Sequence, residues 1–100
     1  MPIYHPLEEQ LIHEVTQTFK ALSDPTRIKI LHLLFSGEQS VTEIAEKLQM
    51  NQSTISHQLK YLKQLSLVKH RRLKTRYYYS LDDYHVMNLV EQAIEHTKHI

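Results

Sequence analysis

The sequence predicts a mainly α-helical domain that carries one small β-hairpin. Two observations lead to this fold class: apolar residues recur at helical spacing in five segments, and the period changes to two over residues 68–81. The chain has 100 residues, of which 41% are hydrophobic and 23% are charged. This length suits one hydrophobic core better than two, so residues 1–100 are expected to form a single domain.

The first two predicted helices are separated by a Ser-Asp-Pro sequence. Residues 7–22 place apolar side chains on one helical face: Leu7, Leu11, Val15, Phe19 and Leu22. Ser23 and Asp24 are suited to cap a second helix, and Pro25 is suited to its first turn. We expect that helix over residues 25–35, with Gly37 as its C-terminal cap.

Two short helices joined by a tight turn are predicted next. Ser40 and Glu43 have the spacing of a capping box just before the apolar residues of a two-turn helix. Asn51 is suited to cap the following helix, whose buried face would carry Ile55, Leu59 and Leu62. This arrangement is typical of a helix-turn-helix.

A basic β-hairpin follows over residues 68–81, where β-branched and aromatic residues flank a short polar tip. Because the tip has neither glycine nor asparagine, a tight two-residue turn is disfavoured and we expect a looser loop. A hairpin directly after a helix-turn-helix is a wing. The predicted architecture is therefore a winged helix-turn-helix.

A last helix is predicted from near residue 81 or 83 to about residue 98. Ser80 and Asp83 have capping-box spacing, with aspartate in the place usually taken by glutamate. One side of the helix is apolar and would dock it on its own domain through Val86, Val90, Ala93 and Ile94.

The composition excludes several classes of protein. The chain has no cysteine and a single glycine, so a disulfide framework, a cysteine-ligated zinc finger and a glycine-rich phosphate loop are ruled out. Its apolar runs are far shorter than the about 20 residues of a membrane-spanning helix, and the first residues do not resemble a signal peptide. We therefore expect a cytoplasmic protein without a membrane partner.

The charges are segregated along the chain although the formal net charge is only +1. Residues 47–81 contain no Asp or Glu but carry eight of the twelve Lys and Arg residues, which predicts a surface for double-stranded DNA. Gln52 and Gln58 could each contact adenine. The full set of predicted DNA contacts lies in the second helix of the motif and in the hairpin: Gln52, Ser53, Thr54, Ser56, His57, Lys60, Arg71, Arg72, Lys74 and Arg76.

Three histidines share one stripe of the last helix. His96 and His99 are one turn apart and can bind one metal ion together, whereas His85 lies roughly 16 Å from His96 along the same helix. Zinc needs ligand atoms about 2 Å away, so one helix cannot supply all three. Two antiparallel copies across a two-fold axis bring Asp83 and His85 of one chain beside His96 and His99 of the other. The pattern predicts a homodimer with two shared sites for zinc or cobalt(II).

At this point the sequence resembles the ArsR/SmtB family of bacterial metal-responsive winged-helix repressors, over nearly the whole chain. The resemblance is carried by four segments: residues 21–27 (ALSDPTR), residues 41–45 (VTEIA), residues 53–59 (STISHQL) and the basic hairpin. Asp83, His85, His96 and His99 look like the metal site of the CzrA-like branch, which senses zinc and cobalt.

The resemblance implies a homodimer built on the first and last helices, and metal-driven release from operator DNA. Some members of the family instead sense metals through cysteines in the segment of residues 38–43. Ser40 and Thr42 stand where those thiolates would be, so that second type of site is absent.

Three other functions were weighed. A hydrolytic zinc enzyme is disfavoured because the four predicted ligands fill a closed tetrahedron, whereas catalytic zinc keeps an open position; no small organic substrate is expected. A winged-helix regulator that responds to a non-metal signal is the main alternative, and a metal titration would separate the two. An architectural protein without sequence preference would bind operator and random DNA alike.

Overall fold

The computed structural model describes residues 2–99, and it has the predicted fold class, with five helices and a small antiparallel sheet. The elements follow in chain order: α1 (Glu9–Leu22), α2 (Pro25–Phe35), β1 (Gln39–Ser40), α3 (Val41–Leu48), α4 (Gln52–Gln64), β2 (Val68–Leu73), β3 (Arg76–Leu81) and α5 (His85–Lys98). The sheet order is β1-β3-β2. We call α4 the recognition helix and residues 68–81 the wing. Among the helices described, none has the length and apolar character needed to cross a membrane.

The predicted boundaries of α2 are confirmed. The Asp24 carboxylate accepts a hydrogen bond from the Arg27 backbone N–H at 3.0 Å, and Pro25 occupies the first helical position. The helix ends at Phe35, and the Gly37 N–H just beyond it donates to the Leu34 carbonyl at 3.1 Å. Gly37 has a φ of 138°, a backbone conformation that a side chain would strain.

The two caps predicted for the helix-turn-helix are also confirmed. Ser40 Oγ accepts from the Glu43 N–H at 3.2 Å, and the Glu43 carboxylate accepts from the Ser40 N–H at 2.8 Å. The hydrogen bond from the Ser40 backbone lowers the pKa of Glu43 below its ordinary value. Asn51 Oδ1 accepts from the Thr54 N–H at 2.8 Å and so caps the recognition helix.

The tip of the wing is tighter than the sequence suggested. Leu73 pairs with Arg76, which leaves Lys74 and Thr75 as a two-residue turn, so the expectation of a looser loop was wrong. Lys74 takes a φ of 58°, and its carbonyl accepts from Arg72 Nε at 3.0 Å. Strand pairing on both sides of the turn therefore imposes the left-handed conformation that glycine or asparagine usually supplies.

The start of α5 also differs from the prediction. Ser80 and Leu81 are paired in β3, opposite Lys69 and Val68, and the helix begins only at His85. Asp83 is therefore not part of a Ser80 capping box; instead its carboxylate accepts from the His85 backbone N–H at 2.8 Å. The sheet takes residues 80 and 81 because pairing there buries Leu81, which is 7% exposed.

The core lies between α2, α3, the recognition helix and the base of the wing, with α5 packed on α2. Ile55, Leu59 and Leu62 are fully buried, as their spacing predicted. On α5 the buried residues are Met87 and Val90, whereas Ala93, which was expected on the docking side, is exposed. Ala93 lines an open cleft between α1 and α5 instead of packing in the core.

Candidate DNA interface and metal-ligand helix

The recognition helix presents a polar face on the side opposite its buried residues. The six side chains predicted to contact DNA from this helix are all exposed: Gln52, Ser53, Thr54, Ser56, His57 and Lys60. Ser53 Oγ donates to Asn51 Oδ1 at 2.9 Å, so this hydroxyl also supports the cap. Gln58 is half-buried, and its Oε1 accepts from Arg27 Nη1 at 3.3 Å. Gln58 therefore has a partner within the chain, and Gln52 is the more exposed of the two candidate glutamines.

A polar notch of about 230 Å³ lies where α3, the recognition helix and the wing meet. It brings together three of the predicted DNA contacts, Gln52, Ser56 and Arg76. Its other walls come from residues that were not predicted to contact DNA: Ser40, Val41, Thr42, Thr75 and Tyr77. Only the fold joins these segments, and the notch suits an anionic group beside the Arg76 guanidinium.

The basic side chains of the wing fall into two groups. Arg72, Lys74 and Arg76 are exposed. Arg71 instead forms a bidentate ion pair with Glu38, with both N···O distances at 2.8 Å. The hydrogen bond from Arg71 lowers the pKa of Glu38 and raises that of Arg71, so both groups remain charged at neutral pH. Arg71 thus has an ion-pair partner within the chain, whereas the three other wing cations predicted to contact DNA, Arg72, Lys74 and Arg76, are exposed and available to phosphates.

The tyrosines of β3 support the wing. Tyr77 and Tyr79 flank the His70 ring, with ring centroids 4.9 Å and 5.2 Å away. Burial raises the pKa of Tyr79, so its hydroxyl stays protonated at neutral pH. The Arg71 guanidinium also lies over the Tyr78 ring, 5.7 Å from its centroid. These contacts hold the two strands together below the basic tip.

The four predicted metal ligands lie at the two ends of α5. At the N-terminal end, Asp83 Oδ1 is 3.4 Å from His85 Nδ1, and both side chains are exposed. At the other end, His96 and His99 are exposed, and His99 Nε2 is 3.6 Å from a Glu95 carboxylate oxygen. Within residues 2–99 of a single chain, no three His, Cys, Asp or Glu side chains come close enough to hold one metal ion. The two pairs of candidate ligands are therefore separate in the single chain, and we call each pair a candidate metal half-site.

An apolar surface runs beside these half-sites. Leu7, Leu11, Val15 and Phe19, which we call the N-terminal stripe, are 59%, 43%, 42% and 54% exposed. The predicted start of this helix at residue 7 was two residues early, because α1 begins at Glu9. A cleft of about 480 Å³ separates the C-terminal part of α1 from α5, and its walls are almost entirely apolar: Phe19, Leu22, Ile28, Leu89, Val90, Ala93 and Ile94, with Thr97 and Lys98 at one end. So much apolar surface left open is typical of an interface between chains.

Comparison with known proteins places this arrangement in a family. The family model described as "Bacterial regulatory protein, arsR family" matches residues 24–70. The chain is 42% identical over 95 residues to the HTH-type transcriptional regulator NmtR of Mycobacterium tuberculosis, which covers 95% of this chain and 79% of NmtR. It is also 42% identical over 95 residues to a cadmium resistance transcriptional regulatory protein, a CadC homolog of Staphylococcus aureus, which covers 94% of this chain and 78% of that protein.

A solved structure shows the same fold. The homodimeric winged helix-turn-helix DNA-binding domain of a possible ArsR-family regulator from Mycobacterium bovis superposes with a TM-score of 0.84 at 34% identity, covering 98% of this chain and 91% of that one. These relatives are regulators of transcription, which confirms the expectation of a DNA-binding regulator rather than an enzyme. The chain belongs to the arsR family of bacterial regulatory proteins, as its motifs indicated.

Proposed function

We propose that this protein is a homodimeric repressor that binds operator DNA without metal and is released when zinc or cobalt(II) binds between the two α5 helices. The observation that carries the proposal is the division of α5 into two half-sites, with an aspartate and a histidine at one end and two histidines at the other. The similarity to a cadmium resistance regulator supports a metal as the signal.

The dimer follows from what one chain leaves exposed. The N-terminal stripe and the cleft beside α5 form one apolar face, and burying it against a second copy removes that face from water. The homodimeric relative from Mycobacterium bovis supports this assembly. A two-fold axis through the face places two recognition helices on one duplex, so the operator is an inverted repeat.

On DNA, the recognition helix enters the major groove, and the wing contacts the backbone or the minor groove. The short polar side chains of Ser56 and His57 contact base edges or nearby phosphates, and Arg72 and Lys74 bind phosphates. Since the hydrophobic side of α4 is fully buried, these contacts are displayed by a rigid element.

The donor set fits zinc or cobalt(II). Asp83 and His85 of one protomer, with His96 and His99 of the partner subunit, would give three imidazoles and one carboxylate. All four side chains are exposed in the single chain and can turn toward a shared ion. The local charge favours a cation, because an acidic group lies beside a histidine at each end: Asp83 beside His85, and Glu95 beside His99. A bound ion would supply strong bonds that join the two α5 helices, and symmetry gives two sites per dimer.

The packing of the helices supports a route from α5 to the recognition helix. Met87 and Val90 pack α5 into the core on α2, and α2 in turn packs against the recognition helix and β3. Fixing the two α5 helices relative to each other therefore fixes the two recognition helices, and only one spacing fits successive major grooves. The effect is reciprocal: if zinc weakens operator binding about 100-fold, roughly 2.7 kcal/mol, operator DNA weakens zinc binding by the same factor.

Complementation between two inactive variants tests the shared site. One variant carries Asp83→Ala and His85→Ala, and the other carries His96→Ala and His99→Ala. Neither homodimer retains a complete site, but a mixed dimer regains one of its two. After subunit exchange at equal concentrations, the intense cobalt(II) absorption bands should return at about a quarter of the wild-type intensity, because about half of the dimers are mixed. Bands in either unmixed variant, or none after mixing, would contradict a site shared between subunits.

The open cleft favours one other candidate, a winged-helix regulator that responds to an apolar small molecule. Its volume of about 480 Å³ lies within the range of small-ligand pockets. This alternative predicts normal operator binding that neither zinc nor cobalt(II) changes, and no tetrahedral cobalt(II) spectrum from the purified protein.

A further inference from the structure

Arg27 joins three elements that otherwise belong to different parts of the molecule. Its backbone N–H closes the cap of α2 at Asp24. Its side chain donates from Nε to the Ala21 carbonyl at 2.8 Å and from Nη2 to the Lys20 carbonyl at 3.3 Å, both in the last turn of α1. From Nη1 it donates to Gln58 Oε1 on the recognition helix at 3.3 Å.

The same guanidinium also stacks on the recognition helix. Its central carbon lies 4.6 Å from the centroid of the Tyr61 ring, one turn beyond Gln58 on the same helix. A half-buried arginine over a tyrosine is held by cation–π attraction as well as by its hydrogen bonds. Arg27 thus contacts α4 at two places and α1 at two carbonyls.

The contacts on α1 have a local reason. The last carbonyls of a helix lack intrahelical partners, and the C-terminal end of the helix dipole favours a cation. Arg27 places a cation there and satisfies the Ala21 carbonyl through Nε, whereas the Lys20 carbonyl also accepts from the N–H and the hydroxyl of Ser23. Lysine could not replace it, since a single ammonium neither spans acceptors on two helices nor stacks flat on a ring.

The two helices that Arg27 links, α1 and α4, face different partners in the proposed dimer. α1 carries the N-terminal stripe, which faces the partner subunit in the proposed dimer, and α4 faces DNA. Gln58 is drawn inward by the contact, which leaves the exposed residues of α4 to meet the DNA. The guanidinium therefore adds a direct link between α1 and the recognition helix to the core packing that holds α4.

We propose that Arg27 is a positioning residue that fixes the recognition helix relative to α1, and that this orientation sets both operator specificity and the size of the zinc response. The zinc part rests on the proposed function. The specificity part needs only that the dimer binds DNA through α4.

The test compares Arg27→Lys with the wild type on two DNA probes. One probe is a duplex enriched from a random-sequence library by the wild-type dimer, and the other is a random duplex of equal length at the same salt concentration. We expect the ratio of the two affinities to fall about tenfold in Arg27→Lys, while binding to the random duplex and its salt dependence stay as in the wild type. Leu33→Val, on the same helix, is the control for lost stability, because its apolar side chain makes no hydrogen bond to either helix.

Variants of Tyr61 provide a second approach if Arg27→Lys folds poorly. Tyr61→Leu removes the ring on which the guanidinium stacks, whereas Tyr61→Phe keeps the ring and loses only the hydroxyl. Tyr61→Leu should lower the affinity ratio and Tyr61→Phe should restore it. The double variant Arg27→Lys/Tyr61→Leu should have an affinity ratio little lower than that of the more affected single variant, because both changes break the same contact.

Two results would overturn the proposal. One is a wild-type affinity ratio in both Arg27→Lys and Tyr61→Leu. The other is a loss of ratio in Leu33→Val that matches theirs at equal melting temperature, since that outcome assigns the effect to stability alone. Titration with zinc sulfate distinguishes the failure of the proposed function: a wild-type protein that ignores zinc refutes metal sensing, whereas the affinity ratio still decides the role of Arg27.

Discussion

Two halves of the molecule differ in how completely a single chain buries and pairs their side chains. One is the half that carries the candidate DNA contacts, α4 and the wing, which we call the DNA-facing half; the other is formed by α1 and α5. In the DNA-facing half, the apolar side of the recognition helix is fully buried and the wing is braced by the Arg71–Glu38 pair. In the other half, the N-terminal stripe is about half exposed, and the two pairs of candidate ligands lie at opposite ends of α5.

The two halves therefore differ in whether their surfaces depend on one chain or on two. The DNA surface is set by contacts within one chain, so its residues can be tested one at a time. In the proposed dimer a second copy covers the α1 and α5 face, so changes there are expected to act through assembly. A change in the DNA-facing half should therefore leave dimer assembly intact. A change in the half formed by α1 and α5 should reach DNA binding through assembly, through the packing of α5 on α2, or through Arg27.

The largest effect is expected from breaking the apolar face. Phe19→Glu places a charge where the dimer would bury an aromatic ring, so the protein should sediment as a monomer at micromolar concentration. Operator affinity should fall at least about 100-fold, because two half-sites can no longer be bound together. Phe35→Glu adds the same charge at a similarly exposed ring outside the stripe and should leave the dimer intact. A dimeric Phe19→Glu protein would place the interface elsewhere.

A nearly equal effect on operator binding is expected from changes at the metal half-sites of α5, but only in the presence of metal. His96→Ala and Asp83→Ala should each keep operator binding without zinc and lose the zinc-driven release of about 100-fold, measured by fluorescence anisotropy of labelled operator. His32→Ala removes an exposed histidine outside the set and serves as the control. Undiminished release in both ligand variants would show that α5 is not the switch.

The wing sharpens the comparison within the DNA-facing half. Lys74→Ala should weaken binding several-fold on all sequences and reduce the slope of log affinity against log salt by about 0.9, the value for one lost phosphate contact. Arg71→Ala should leave that slope unchanged, because the guanidinium is already paired with Glu38. Equal slopes for the two variants would mean that Arg71 leaves Glu38 to bind DNA.

A smaller effect is expected from the capping box. Ser40→Ala removes the hydroxyl that accepts from the Glu43 N–H, which should lower the free energy of unfolding by about 1 kcal/mol in denaturant titrations. Ser56→Ala, at an exposed serine within α4 whose hydroxyl caps no helix, is the control. If both changes had the same effect, the cap would contribute nothing beyond an ordinary surface serine.

The smallest effect concerns the charge of Glu43 and its pH dependence. Since the pKa of Glu43 is lowered in the folded protein, its ionisation stabilises the fold above the ordinary carboxyl value of about 4.3. This stabilisation should disappear as the pH falls through the lowered pKa. Glutamine still accepts the hydrogen bond, so Glu43→Gln should be less stable than the wild type at pH 7 and should match it in strong acid. A difference independent of pH would exclude the charge as its cause.

The parts of the fold that were predicted well depend on neighbours in the sequence. The caps at Asp24, Ser40 and Asn51 each close within three residues, and the buried face of α4 follows from helical spacing. Two of the errors, at the tip of the wing and at the start of α5, lie where strands pair. Pairing of Leu73 with Arg76 tightened the turn, and pairing of Leu81 with Val68 delayed α5 to His85. Pairing across strands outweighed the local preferences of turn and cap residues in both places.

The candidate sites show the same division. The sequence identified the basic segment, the polar start of α4 and the spacing of the three α5 histidines. It gave no sign that Arg71 is held by Glu38, 33 residues earlier, or that Gln58 is turned inward by Arg27, 31 residues earlier. Both contacts follow from how the helices and the wing pack, which no local pattern encodes.

The sequence by itself therefore determined the fold class, the helix caps, the DNA-binding character and the candidate ligand set, because these depend on residue chemistry and on periodicity along one element. The tertiary structure decided which cations are free, which glutamine faces outward, where α5 begins and how Arg27 joins α1 to α4. These outcomes depend on competition between distant partners for the same backbone and side-chain groups. That competition is resolved only when the elements pack around one core.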